Sequence, residues 1–207
     1  GSLNVGSLTG DSNSRIVFLP GGGGPDPTQI TLTTGGLNTS TTVASDISQS
    51  NTTGAIVKVG TGTLTLSGNN SYSAGTTVNG GALIAASDSA LGTGAVTLAA
   101  GTTLGLTNAG DPDILVNGAS SMPTFNGNAG TTFNILGANN NSATDVLTVT
   151  TANATYAGVV NVGGPAANSA ATLKGGAVNS FGNPSAVTVF AGSKLDLGGF
   201  GQTVSQL

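Results

Sequence analysis

The strongest constraint on what this chain can fold into is an internal repeat. Residues 82–106 read ALIAASDSALGTGAVTLAAGTTLGL, and residues 172–197 read TLKGGAVNSFGNPSAVTVFAGSKLDL. One residue inserted at the Asn183-Pro184 turn aligns the two on a shared frame. That frame is a small residue before Leu, then Ala or Ser before Leu or Phe and Gly, then Ala-Val-Thr, then Ala-Gly, then Leu-x-Leu. The segments ahead match more loosely, 64–75 with 147–158, and Leu3-Asn4-Val5-Gly6-Ser7-Leu8 resembles Gln202-Thr203-Val204-Ser205-Gln206-Leu207. A unit recurring at long period buries its apolar face against its neighbours rather than against itself, which is the mark of a solenoid.

The unit is built from strands. Short stretches at 30–32, 55–59, 63–66, 82–84, 95–98, 102–106, 146–149, 187–189 and 194–197 carry apolar residues at every second position, with Thr between. A period of two predicts strands with one buried face. Between them lie clusters such as Gly68-Asn69-Asn70-Ser71, Asn79-Gly80-Gly81 and Gly198-Gly199-Phe200-Gly201. Gly and Asn tolerate positive φ, so tight corners can recur without strain. Helical periodicity is close to absent. Strands alone would suit a sandwich or a barrel equally well. The repeat selects an all-β solenoid, expected as a right-handed single-stranded parallel β-helix. At roughly 20 residues per coil the chain makes on the order of ten coils, a rod about 45–50 Å long at the spacing of stacked strands.

The organisation expected is one β-helix segment over 1–207, with the cleanest repeat at 54–106, divergent and insertion-rich coils at 107–145, and a second, degenerate copy at 146–207. The opening Gly1-Ser2 and the break at Leu207, inside a strand-like pattern, read as the ends of a segment cut from a longer chain.

Composition narrows the function. The chain has 207 residues, 35 of them Gly, and only 6% are charged, against about 25% in ordinary domains. Thr, Ser and Asn carry its solubility instead, while a hydrophobic share of 37% argues against a fully solvated coil. All acids are Asp, and the four bases (Arg15, Lys58, Lys174, Lys194) are scattered. Four dispersed cations make no phosphate-tracking patch, so no nucleic-acid partner is expected. With no His, Cys or Glu, the chain lacks an imidazole base, a thiolate and a Glu acid, and it is expected to be no enzyme and to hold no cofactor or metal.

One stretch carries a family resemblance. Residues 54–106 contain Val57-Lys58-Val59-Gly60-Thr61-Gly62-Thr63-Leu64-Thr65-Leu66-Ser67-Gly68, then Asn70-Ser71-Tyr72, then Gly75-Thr76-Thr77-Val78-Asn79-Gly80-Gly81, and finally Ala90-Leu91-Gly92-Thr93-Gly94-Ala95-Val96. This resembles the autotransporter-associated β-strand repeat, also called the passenger-associated transport repeat. Weaker versions extend over much of the remainder, including Leu197-Gly198-Gly199-Phe200-Gly201-Gln202-Thr203-Val204, whereas 15–27 and 108–141 depart from the pattern. The resemblance implies a structural and adhesive passenger segment of a bacterial surface protein, secreted and anchored through a C-terminal outer-membrane β-barrel outside this chain. It further implies a repeat that supports secretion and extracellular folding, with host-cell or cell-surface ligands as partners.

Other chemistry has few instruments. Asp111-Pro112-Asp113 is the one close carboxylate pair. It reads either as a loop site, binding calcium or cleaving a glycan in the manner of carbohydrate-active solenoids, or as a turn, since Asp-Pro starts turns and Asp caps backbone N–H groups. The turn is the weightier reading, and Asp111 and Asp113 stand as weak candidates only. Asp26 between two prolines and the run Gly21-Gly22-Gly23-Gly24 read as exposed loop, because no Lys-Ser/Thr follows to hold a phosphate. Asn139-Asn140-Asn141 reads as a solvated corner, and Tyr72, Tyr156 and the six Phe are too dispersed to form a sugar platform. Self-association of rods along faces of low charge is the remaining alternative.

Overall fold

The computed structural model describes residues 1–21, 28–87, 89–106, 113–116, 125–127, 132–135, 146–149, 156–164 and 170–204. Among them are nineteen strands, all paired in parallel and none longer than six residues. The first sheet stacks β1 (Ser2–Val5), β3 (Gln29–Thr34), β6 (Thr53–Lys58), β8 (Thr76–Val78), β10 (Val96–Leu98) and β13 (Phe125–Gly127). The second stacks β4 (Thr41–Val43), β7 (Thr63–Leu66), β9 (Ala82–Ala85), β11 (Thr103–Leu106), β14 (Thr132–Ile135), β16 (Val159–Val162) and β18 (Ala186–Val189). The third stacks β12 (Asp113–Val116), β15 (Val146–Val149), β17 (Thr172–Gly175) and β19 (Lys194–Asp196), while β2 (Arg15–Phe18) pairs with β5 (Asp46–Gln49) alone.

The chain therefore returns to the same sheets repeatedly, and most strands lie against a strand one turn later. The step is not constant. Ala82 pairs back to Thr63, whereas Val146 pairs back to Asp113, a far longer way round. This corrects the expected count of about ten coils. The longest ladder described holds seven strands. Added corner length and a third strand per turn make most turns longer than the expected repeat of roughly 20 residues. No helix among the described residues is long and apolar enough to cross a membrane.

Alternation fixes which side chains enter the core. On the second sheet the inward rows are Leu64, Leu83, Leu104, Val160 and Val187, and beside them Val43, Leu66, Ala85, Ile135 and Val162, all buried. The outward positions between them are Thr63, Thr65, Thr103, Thr132, Asn134 and Asn161, partly exposed. In-register parallel stacking puts like on like, so Leu83 meets Leu64 on one side and Leu104 on the other. The same stacking brings the outward Asn161 Nδ2 to Asn134 Oδ1 at 2.8 Å. This amide pair lies on an outer strand face rather than at a corner.

One strand takes a phase that hydropathy alone would not select. Residues 55–59 alternate so that Ala55, Val57 and Val59 could form an inward apolar row. In the fold, Ile56 and Lys58 face inward and Val57 is only half-buried. The inward row therefore reads Thr34, Lys58, Val78, Leu98 through successive turns. A lysine sits in line with the aliphatic residues that follow it.

Candidate functional site

Of the two expected site residues, Asp111 lies outside the described residues. Asp113 opens β12, with no side-chain placement described. Asp26, the glycines 22–24 and residues 139–141 also lie outside them. The carboxylates whose side chains are described serve turns. Asp11 Oδ1 accepts from Asn13 N at 3.0 Å, Asp46 Oδ1 from Asn69 N at 2.8 Å, and Asp196 Oδ1 from Gly198 N at 2.9 Å. Asp196 also accepts from Lys194 Nζ at 3.1 Å. The amide of Gly198 and this ammonium hold its carboxyl below the usual range. Among the described residues no three acids, His or Cys cluster as a metal would require.

Between residues 34 and 98 a set of polar side chains joins one turn to the next. Asn38 Oδ1 accepts from Thr61 N at 2.9 Å, a turn away. Gln49 Oε1 accepts from Gly54 N and, one turn on, from Ser73 N, while its Nε2 donates to Ser73 Oγ at 2.8 Å. Asn70 is buried and spans three turns: Oδ1 accepts from Ile47 N at 2.8 Å, and Nδ2 donates to Ala90 O at 2.5 Å. An amide side chain carries both a donor and an acceptor, so it can satisfy the orphaned backbone groups of a corner on both sides.

Lys58 is the most unusual member. It is 1% exposed, and its Nζ donates to Val59 O at 2.7 Å, Gly60 O at 3.0 Å and Gly80 O at 3.2 Å. All three ammonium protons thus find carbonyls, two from its own corner and one from the next. Burial lowers its pKa from the ordinary value. The corner admits this because it is glycine: Gly60 has φ +72°, and a β-carbon there would stand 2.1 Å from the Gly35 carbonyl oxygen. Beside Lys58 on the inward row, the buried Thr34 hydroxyl has no hydrogen-bond partner.

The aromatic residues belong to the same framework. Tyr72 and Tyr156 are both buried. Tyr72 pairs its hydroxyl with Thr76 Oγ1 at 2.7 Å and packs edge-on against Phe18, with ring centroids 6.5 Å apart. Burial pushes its phenol well above the usual value. Tyr156 donates to Val159 O at 2.8 Å. Neither ring offers a face to a sugar. The Tyr72–Phe18 contact joins separate turns, and the two hydroxyl bonds are local.

Sequence reading misses this constellation, although a signal is there. Lys58 is one of only four bases, and it is set among the apolar residues Ile56, Val57 and Val59. Asn70 lies in a corner cluster that reads as a turn, but a corner residue's partners one turn away depend on a register that spacing alone does not give.

Compared with known families, residues 56–85 match the passenger-associated-transport-repeat. The match covers the strands and corners that hold Lys58, Asn70 and Tyr72. No curated protein matches the chain, and no solved structure does.

Proposed function

We propose that this chain is a structural and adhesive passenger segment of a bacterial autotransporter-type surface protein, wound as a right-handed single-stranded parallel β-helix. The match over residues 56–85 carries this reading. It falls on turns that the side chains of Lys58 and Asn70 tie to their neighbours. Parallel ladders in which most strands rest on a strand of the previous turn support the β-helix, and right-handed crossovers are the rule between parallel strands of a sheet.

In this reading the segment is delivered to the cell surface, and the full-length protein is anchored by an outer-membrane barrel. Each finished turn offers unpaired backbone groups and a row of apolar side chains as a template for the next. Folding outside the cell then opposes back-sliding of the chain during export. The segment performs no catalysis, and its partners are ligands on other cells or neighbouring rods. No observation favours the glycan-cleaving alternative.

The test is deletion of residues 56–85 from the full-length protein, scored by protease access on intact cells and by protease resistance of the passenger. The expected outcome is reduced surface delivery together with a protease-sensitive passenger. Unchanged delivery and resistance would overturn the proposal.

A further inference from the structure

The segment Ala55-Ile56-Val57-Lys58-Val59 is apolar on both of its faces except for Lys58. Period-two patterning sets strand register only when one face is distinctly polar; a strand apolar on both faces is prone to slip by one residue. Such a slip would turn Ala55, Val57 and Val59 inward and send Ile56 and Lys58 outward. By hydropathy alone that arrangement is the better one, since it buries three aliphatic side chains and exposes the ammonium. The observed register instead turns Ile56 and Lys58 inward and leaves Val57 and Val59 only half-buried, although Ala55 stays buried.

The lysine's acceptors account for the choice. Val59 O and Gly60 O come from its own corner, and Gly80 O comes from the corner one turn later. Among the described residues the only ion pair joins Lys194 to Asp196, so carbonyl oxygens rather than a carboxylate satisfy the Lys58 charge. Three carbonyls converge on one ammonium at a single alignment of the two corners. A buried ammonium left with fewer acceptors is heavily penalised.

We infer that Lys58 is the register key of the repeat: it selects the stacking phase of β6 between β3 and β8 by requiring the 59–60 and 80 corners to superpose. Because Gly80 supplies the third acceptor, the phase of one turn becomes locked when the next turn closes over it. This locking depends on stacking alone and holds whether or not the chain is a surface passenger.

The test is solution NMR of the isotope-labelled chain, in which backbone contacts between β3 and β6 read the register directly. The native protein is expected to show Thr33 opposite Val57 alone. Lys58→Met is expected to show a second set of contacts, with Thr33 opposite residue 56 or 58, at about a tenth of the population or more. Adding Val57→Thr and Val59→Thr to Lys58→Met makes the outward face polar again and is expected to restore the single native register. If Lys58→Met keeps one native register, the inference is wrong. If Lys58→Met unfolds, recovery of the native register in the triple variant supports the inference, and failure to recover it overturns it.

Discussion

Residues 82–106 and 172–197 adopt the same local structure, yet they occupy different sides of the molecule. In each, a strand leads through a turn closed by backbone bonds, Gly92 N to Ser89 O in one and Gly182 N to Asn179 O in the other. Each continues with a positive-φ glycine, Gly92 or Gly182, then a strand, then a second such corner at Gly101 or Gly192. Each closes over a buried tyrosine one turn back, with Thr93 N on Tyr72 O and Asn183 N on Tyr156 O. Yet β9, β10 and β11 lie in the second, first and second sheets, whereas β17, β18 and β19 lie in the third, second and third. Two three-strand turns, β10–β11–β12 and β13–β14–β15, begin within the first copy and advance the repeat by one face before the second. Local sequence fixes strand and corner, while the length of the intervening chain fixes the side.

The copies also differ in cover. Leu98 of the first is 3% exposed, and its counterpart Val189 is 39% exposed. Val187, Val189, Leu195, Leu197 and Val204 line an apolar cleft of about 650 Å³ beside β18 and β19.

The largest effect that separates the copies is expected from core truncation. Leu104 is fully buried between two neighbouring strands, so Leu104→Ala should lower stability by about 3 kcal/mol. Its counterpart Leu195 is half-buried and, among the described residues, has one neighbouring strand, so Leu195→Ala should cost less than about half of that. Urea titration of both variants measures the pair, and equal losses would mean that the second copy is as well covered as the first. Corner glycines come next. A β-carbon at Gly92 would stand 2.4 Å from Tyr72 O, whereas Gly101 opens onto free space. Gly92→Ala should cost about 2–3 kcal/mol and Gly101→Ala about 1 kcal/mol, the latter from φ alone. Thermal melts that place the two together would show that the corner yields.

Smaller effects test the tyrosines. Tyr72→Phe leaves the buried Thr76 hydroxyl without its phenol and should cost about 1–2 kcal/mol, while Tyr156→Phe gives up the bond to Val159 O at about 1 kcal/mol. Urea midpoints that do not move would show that the hydroxyls are idle. The smallest difference is electrostatic. Asp196 occupies the position of Gly105 in the repeat, and its folded pKa lies below the ordinary value. A depressed carboxyl contributes stability above its unfolded pKa, and that contribution fades as pH falls through the folded value. Below about pH 4 the end of the second copy should loosen slightly, and amide exchange near Gly198 should show it in the native protein but not in Asp196→Asn.

The period of two makes the interior of the fold readable. Strands expected at 63–66, 82–84, 95–98 and 102–106 all form; in all but 82–84 Leu or Val alternates with Thr or Gly. Thr41–Val43, Asp46–Gln49 and Thr76–Val78 are not legible, since so few residues with one or two aliphatic side chains carry no periodic signal. Their strand state comes from the ladders on either side. The phase of 55–59 is hidden for a different reason: hydropathy favours the wrong face, and the deciding acceptors lie up to 22 residues away. The candidate site is illegible on the same ground. Asn70 and Gln49 have partners 23 and 24 residues distant, and such pairings exist only once the turn length is known.

The unequal step between stacked strands has an evolutionary consequence. A ladder asks only that each strand find its predecessor, and it is indifferent to how much chain is spent on the way round. Residues inserted at a corner lengthen the perimeter of one turn while the pairing above and below persists, and the entropy of closing a longer loop grows only as the logarithm of its length. One chain here tolerates both the short step from Thr63 to Ala82 and the long one from Asp113 to Val146. Such a lineage can acquire or discard surface loops by insertion and deletion far more freely than it can substitute an inward leucine, and variation among its descendants should collect at the corners.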